Sequence, residues 1–197
     1  MKTRLAPYLG VQGSTRLHER MVHDTLSAAI NSSVGRVELW CTLSTEHPFF
    51  KRCAKDFELS LHLQTRGDIG RRMAYAFGQA LQGTGCALLI GTDCPSRTQD
   101  DLREAANALR QGANAVLGPT EDGGYSLIGL RRYSPVLFVG VSWGTDQVLE
   151  QTRARLRHLK WTWHELSLRW DVDRPQDVER LKSEGYYPYE QLTLTLH

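Results

Sequence analysis

No stretch of this chain narrows its fold more than Ala87-Leu88-Leu89-Ile90-Gly91. The apolar run is uninterrupted, follows Gly85 and ends on Gly91, the pattern of a strand covered on both faces rather than one. A strand of that kind is expected to be central and parallel. Residues just beyond its carboxyl end, here Thr92 and Asp93, then stand where open α/β sheets bind their ligands.

The flanking sequence supplies helices for both faces. Positions 68 to about 82 carry Met73, Phe77 and Leu81 at helical spacing and stop at Gly83. Thr98, with Asp101 three residues on, forms a cap for a helix burying Leu102, Ala105, Ala106 and Leu109. Ser14 and Thr15 are read as the cap of a first long helix with Leu17, Met21, Val22, Leu26 and Ile30 on its inner face. Alternation predicts strands over 37–43 and 57–63, and short strands follow at 115–117 and 126–130. Thr145 is expected to open a helix carrying Val148, Leu149, Thr152 and Leu156. A strand near 161–168 then leads to Asp171, and a last helix begins at Pro175 and ends near Gly185. This order predicts one α/β domain over residues 1–197, with a doubly wound, mostly parallel sheet and helices on both faces.

Composition removes several functional classes. Lys and Arg number 24 against 22 Asp and Glu, a net charge of +2 spread along 197 residues, which makes no nucleic-acid surface. No apolar run approaches the roughly 18 residues of a membrane span. Pro7, Gly10 and Gln12 stand where a signal peptide needs its apolar segment. Cys41, Cys53, Cys86 and Cys94 form neither a CxxC pair nor a zinc spacing, so free thiols in a reducing cytoplasm are expected.

Chemistry concentrates in four segments. In IGTDCP, residues 90–95, Asp93 at a strand end suits Mg²⁺ or Mn²⁺, which bind phosphate substrates through one or two carboxylates; read alone, it equally suits the cap of a turn. In RWDVDRPQDVERL, residues 169–181, Asp171 and Asp173 project to one face of an extended backbone, where two like charges call for a cation or for solvent. Asp177 reads more simply as an anion at the start of the next helix. GPTEDGGYSLIGL, residues 118–130, offers Asp122 as a hydrogen-bond acceptor and the pair Gly123-Gly124 for close backbone approach to a ligand, though Asp-Gly is also a common turn. In the opening MKTRLAPYLG, Lys2 and Arg4 project from an extended loop ahead of a helix N-terminus, a phosphate cradle if ordered and a basic tail if not. The GxxxxGK[ST] loop is missing, which excludes a P-loop NTPase. Trp143 could stack on a base or sugar, or simply pack. His18 and His23 share no helical face, and Cys94 has no His base beside it.

Taken together, KTRLAP, QTRGDIGRRM, GTDCP, GPTEDGGYSLIGL, VSWGTDQVLEQT and DVDRPQDVERL, in that order, resemble an uncharacterised bacterial family of GT-A-like transferases. The family is usually labelled as glycosyltransferases similar to the guanylyltransferase of deazaflavin-cofactor synthesis. The likeness runs from Lys2 to about Leu181. It implies a nucleotide-diphospho-sugar transferase fold, a nucleotide with its phosphates under the first loop, and Mg²⁺ or Mn²⁺. Lys2 and Arg4 match the phosphate-loop cations, while Asp93, Asp171 and Asp173 match the metal carboxylates. Gln64, Gly67 and Asp68 match the segment near the base, and Thr92 joins this nucleotide-binding set. Asp122, Gly123, Gly124, Tyr125 and Trp143 fall where a small-molecule acceptor is expected, with Asp122 as a possible base.

The chain departs from that family at two places. Arg174 replaces a small hydroxyl residue at the entry to the last helix, where it could pair with Asp171 or a phosphate or alter the turn. Relatives also place a short apolar strand and a Pro-Gly loop ahead of KTRL. Because that strand belongs near the middle of the sheet, Met1 is expected to lie inside a longer reading frame, with a degenerate protein as the rival. The expected activity is metal-dependent nucleotidyl transfer from an NTP to a phosphorylated or acidic small molecule. Glycosyl transfer from a nucleotide-sugar and a noncatalytic nucleotide-binding module are the alternatives.

Overall fold

Local chemistry accounts for most elements of the computed structural model, which describes residues 3–186. A 3-10 turn at Thr3–Leu5 runs into α1 (Ala6–Ser32), with Pro7 in the first turn and a break at Gly10, whose φ of 69° and ψ of 167° are not helical. From Thr3 on, the opening segment is therefore helical rather than an extended loop. Ser14 and Thr15 lie inside α1 instead of capping it, because both hydroxyls donate back to the Val11 carbonyl at 3.0 and 2.8 Å. After β1 (Glu38–Cys41) comes a helix the periodicity does not announce, α2 (Pro48–Asp56), begun by Pro48 and by the His47 ring accepting the Phe49 N–H. Next come β2 (Ser60–Leu63), α3 (Ile69–Ala80), β3 (Ala87–Ile90) and α4 (Gln99–Arg110). The expected Thr98–Asp101 capping box starts α4. β4 (Ala115–Pro119), β5 (Tyr125–Leu130), α5 (Val148–His158), β6 (Trp163–Glu165) and α6 (Pro175–Ser183) complete the order. Thr145 does not open α5, since its hydroxyl donates to the Ser142 carbonyl and the helix begins at Val148.

The strands form a four-stranded sheet of order β3-β5-β4-β6 and a separate two-stranded sheet of β1 and β2. Pairing is parallel for β1–β2 and β4–β6, and antiparallel where β5 lies between β3 and β4. β3 is not the central parallel strand that its apolar run implies. It runs antiparallel to β5, its one partner among the described residues, and all of Ala87–Ile90 stay half-buried. The strands buried on both faces are β4 and β5, because β5 returns from the hairpin into the middle position.

Helices cover both faces, as an α/β chain requires. Leu117 and Ile128 point toward Met73 and Phe77 of α3 and Leu156 of α5. Val116 and Leu127 point the opposite way, toward Leu102, Ala105 and Leu109 of α4, with Ala29 of α1 behind them. A further cluster joins Leu5, Leu17 and Met21 to Trp170, Val172, Val178 and Leu181, fastening the first helix to the last. Val37 packs against the clusters on both the small and the large sheet. No helix among the described residues is long and apolar enough to cross a membrane.

Leu117 is fully buried at the centre of this arrangement. Leu117→Ala is expected to lower unfolding free energy by about 2–5 kcal/mol. Leu63→Ala, at a side chain 53% exposed, should change it by no more than about 0.5 kcal/mol. Equilibrium denaturation of the two variants checks the contrast.

Candidate functional site

Two loops meet beyond the carboxyl end of β3. The Val172 N–H donates to the Asp93 carbonyl at 2.9 Å, which lays the segment bearing Asp171 and Asp173 alongside the loop bearing Asp93. Arg4 reaches the same place, its guanidinium 3.5 Å from the Asp173 carboxylate. The burial of Leu5 against Trp170 and Val172 keeps it there. Lys2 lies outside the described residues. Asp177 supplies the helix-start anion that its position predicts, accepting the N–H groups of Asp173 and Arg174 at 2.8 and 2.7 Å. Arg174 holds an ordinary extended cap conformation (φ −125°, ψ 161°), and its N–H donates to Asp177.

The carboxylates bear on whether a cation fits. Among the described residues, no three His, Cys, Asp or Glu side chains are grouped closely enough to hold one ion. The triple set expected of Asp93, Asp171 and Asp173 is therefore not assembled as such. A backbone bond joins the loops while Asp173 lies toward Arg4. What remains suits a hard cation held by one or two carboxylates that completes its shell with substrate phosphates and water, the usual condition of Mg²⁺.

The nucleotide-side residues are partly engaged in structure. The Gln64 side-chain amide donates to the Trp40 carbonyl at 2.9 Å, closing the end of β1. Asp68 caps α3, its Oδ1 accepting the Arg71 N–H at 2.8 Å. Gly67 sits at φ 124°, a backbone conformation that favours glycine, and a Cβ there would displace the Arg71 side chain, 2.7 Å away. Thr92 is half-buried next to Asp93. Trp143 rests on α3 at Gly70, where a Cβ would stand 2.4 Å from the indole nitrogen. Its half-buried ring thus packs against the core and joins the start of α3 to the segment before α5.

The DGG turn is also built differently from a ligand cradle. Asp122 is exposed, and its Oδ1 accepts from the Thr120 hydroxyl at 2.7 Å and the Gly124 N–H at 3.0 Å, so it organises its own turn. Gly123, at φ 83°, is required because a Cβ would meet the Asp146 carbonyl at 2.2 Å; the Gly123 carbonyl also accepts the Leu149 N–H at 2.9 Å. The glycine therefore admits the chain before α5 rather than a ligand. Tyr125 turns inward, and burial beside α5 pushes its hydroxyl pKa up to about 12. Of the acceptor set, Asp122 is the one exposed side chain, while Tyr125 and Trp143 are half-buried.

A polar cluster that no sequence motif marks lies beneath these loops, made of Arg97, Asp101, Arg169 and Ser126. The i,i+4 spacing of Arg97 and Asp101 is its trace in the sequence. Arg97 donates to the Ser126 hydroxyl and to the carbonyls of Pro119 and Ser167, while Arg169 bonds Asp101 at 3.0 Å. Burial raises the Asp101 pKa, but the Arg169 and Thr98 hydrogen bonds outweigh it and leave it below the ordinary carboxylate value. Cys94, next to Asp93, is buried with its pKa raised by that burial, which suits packing rather than nucleophilic attack.

The profile of a family described as "Uncharacterized protein conserved in bacteria (DUF2064)" matches residues 25–145, more than half of the chain. Among solved structures, a candidate nucleotide-diphospho-sugar transferase from Desulfovibrio desulfuricans G20 superposes with a TM-score of 0.81 at 25% identity, covering 98% of this chain and 86% of that one. A cytidylyltransferase from Leptospira borgpetersenii serovar Hardjo-bovis (strain JB197) superposes at 0.56 with 15% identity, covering 87% and 78%. CMP:2-keto-3-deoxy-manno-octonic acid synthetase complexed with CTP gives 0.50 with 11% identity, covering 83% and 86%. No curated protein matches the sequence.

Because Asp122 takes two hydrogen bonds inside its own turn, Asp122→Ala should cost about 1–3 kcal/mol of stability. Asp122→Asn, which keeps the accepting oxygen, should cost less than about 1 kcal/mol. Thermal and urea denaturation distinguish this from a residue placed only for a ligand, for which the two variants would unfold alike.

Proposed function

Since this chain belongs to the DUF2064 family and shares the fold of a nucleotide-diphospho-sugar transferase, we propose that it is a nucleotide-utilising transferase that moves a nucleotidyl group from an NTP to a phosphorylated or acidic small molecule. The observation carrying this reading is the meeting of Asp93, the Asp171–Asp173 loop and Arg4 beyond the carboxyl end of β3. Open α/β sheets bind nucleotides at such strand ends.

In this reaction an anionic acceptor oxygen attacks the α-phosphorus of the NTP. The new P–O bond forms as the bond to the bridging oxygen breaks, and pyrophosphate leaves with the electron pair. An acceptor that is already an anion gives up no proton, and the chain need supply no nucleophile. Its work is positioning and charge neutralisation. Arg4, together with Lys2, binds the triphosphate; Asp93 with Asp171 or Asp173 would hold Mg²⁺ or Mn²⁺. Such an ion supplies electrostatic stabilisation of the phosphate oxygens. Gln64, Gly67, Asp68 and Thr92 belong to the nucleotide side; Asp122 is the side chain turned to the acceptor, with Gly123 and Gly124 shaping its turn and Tyr125 and Trp143 packed behind it.

A second reading, glycosyl transfer from a nucleotide-sugar, is favoured by the similarity to the Desulfovibrio desulfuricans protein. Product analysis separates the two: pyrophosphate release from an NTP and acceptor supports the first, and nucleoside diphosphate release from a nucleotide-sugar supports the second. Tight nucleotide binding without turnover of either kind would indicate a noncatalytic module.

Asp93→Ala is expected to abolish the Mg²⁺- or Mn²⁺-dependent part of thermal stabilisation by nucleotide, and unchanged stabilisation would remove Asp93 from the metal role. Arg4→Glu should weaken triphosphate binding by tenfold or more, the scale of one lost charge-assisted contact, while leaving nucleoside binding nearly unaltered. Calorimetric titration of both ligands reads that difference.

A further inference from the structure

Arg97 is the only buried arginine among the described residues, and it spends its hydrogen bonds on the ends of two strands and on the segment leading to Asp171. Its guanidinium donates to the Pro119 carbonyl at the end of β4, to the Ser126 hydroxyl near the start of β5, and to the Ser167 carbonyl in the segment leading to Asp171, each at 3.2 Å. Asp101 faces it at 3.7 Å and also accepts from Arg169, which belongs to that same segment. A glycine makes the space, since a Cβ at Gly118 would stand 2.9 Å from the Arg97 Nη2. The same stretch of chain adds two more stitches. The Ser96 hydroxyl lies 3.4 Å from the Trp170 carbonyl, and the Asp93 carbonyl accepts the Val172 N–H.

We propose that Arg97 is a positioning residue of the nucleotide site, locking the Asp171–Asp173 loop and the mouth of the β4–β5 hairpin to the loop that carries Asp93. The role rests on the transferase reading above. A buried arginine is a costly way to gain stability, because replacing buried ionic groups with apolar side chains of similar volume is often neutral or stabilising. What an apolar side chain cannot supply is a rigid planar fork of donors addressing three separate segments at once. The segments addressed are those that carry or flank the carboxylates and the Asp122 turn, so small displacements of this fork move both sides of the site together.

Arg97→Met and Arg97→Lys test the role in the full chain, with wild type beside them. Amide hydrogen exchange over 167–173 reads the lock without reference to activity. Exchange there is expected to rise at least tenfold in Arg97→Met and by less in Arg97→Lys, while exchange in β4 and β5 stays slow. Wild-type exchange rates in either folded variant would overturn the lock. The second measurement is the Mg²⁺-dependent thermal shift given by inorganic tripolyphosphate, a probe that needs no knowledge of the base. It should be lost in Arg97→Met and partly kept in Arg97→Lys. A loosened segment with an undiminished shift would overturn the positioning role, whereas no shift in wild type would count against the transferase reading and leave the exchange result to decide the lock. If Arg97→Met does not fold, the Arg97→Lys exchange pattern decides alone.

Discussion

The antiparallel insertion of β5 between β3 and β4 is the constraint on which the remaining structure depends. Ile128 opposes Leu89 on one side and Leu117 on the other, so a single strand sets the register of both neighbours. A slip of one residue would exchange the Met73–Phe77 face with the Leu102–Leu109 face and expose both cores. Gly129 shows how closely the layers meet there, because a Cβ would come within 2.6 Å of Leu88 and 3.0 Å of Leu109. From that register follow the strand ends, and from the strand ends the loops that carry Asp93, Asp122 and Asp171.

Much of this was legible wherever residues act locally. Thr98 and Asp101 announce α4 and Pro175 with Asp177 announces α6 through their helix ends, and the spacing of Met73, Phe77 and Leu81 announces α3. A local signal misleads where it has a nonlocal competitor. The apolar run at Ala87 reads as a strand covered on both sides, yet its neighbour is decided by where the hairpin returns, which no periodicity encodes. Ser14 and Thr15 have the composition of a cap but prefer the Val11 carbonyl once Pro7 has started the helix upstream. α2 escaped notice because its buried residues, Phe49 and Cys53, are too few to make a pattern.

The candidate site divides in the same way. Carboxylates at strand ends can be found from sequence because position within a motif implies location. Their partners cannot, and those partners decide the chemistry. Asp122 looks like a base and serves its turn, Gly123 looks like room for a ligand and serves the approach of residue 146, and Tyr125 looks displayed yet turns to the core. Arg97, conversely, reads as one more cation in a polar loop. Only the folded chain shows it enclosed beneath two strand ends and the Ser167 carbonyl.

β3 has one further consequence. Leu88 and Ile90 alternate with the residues whose backbone groups bond β5, so their own amides and carbonyls face outward along an apolar, half-exposed edge. Neither charge nor proline interrupts Ala87–Ile90, the usual means by which edges are kept from recruiting further strands. Its side chains pack against the cores on the two faces, so what β3 leaves unpaired among the described residues is backbone, and this rim is where an added strand would find its donors and acceptors.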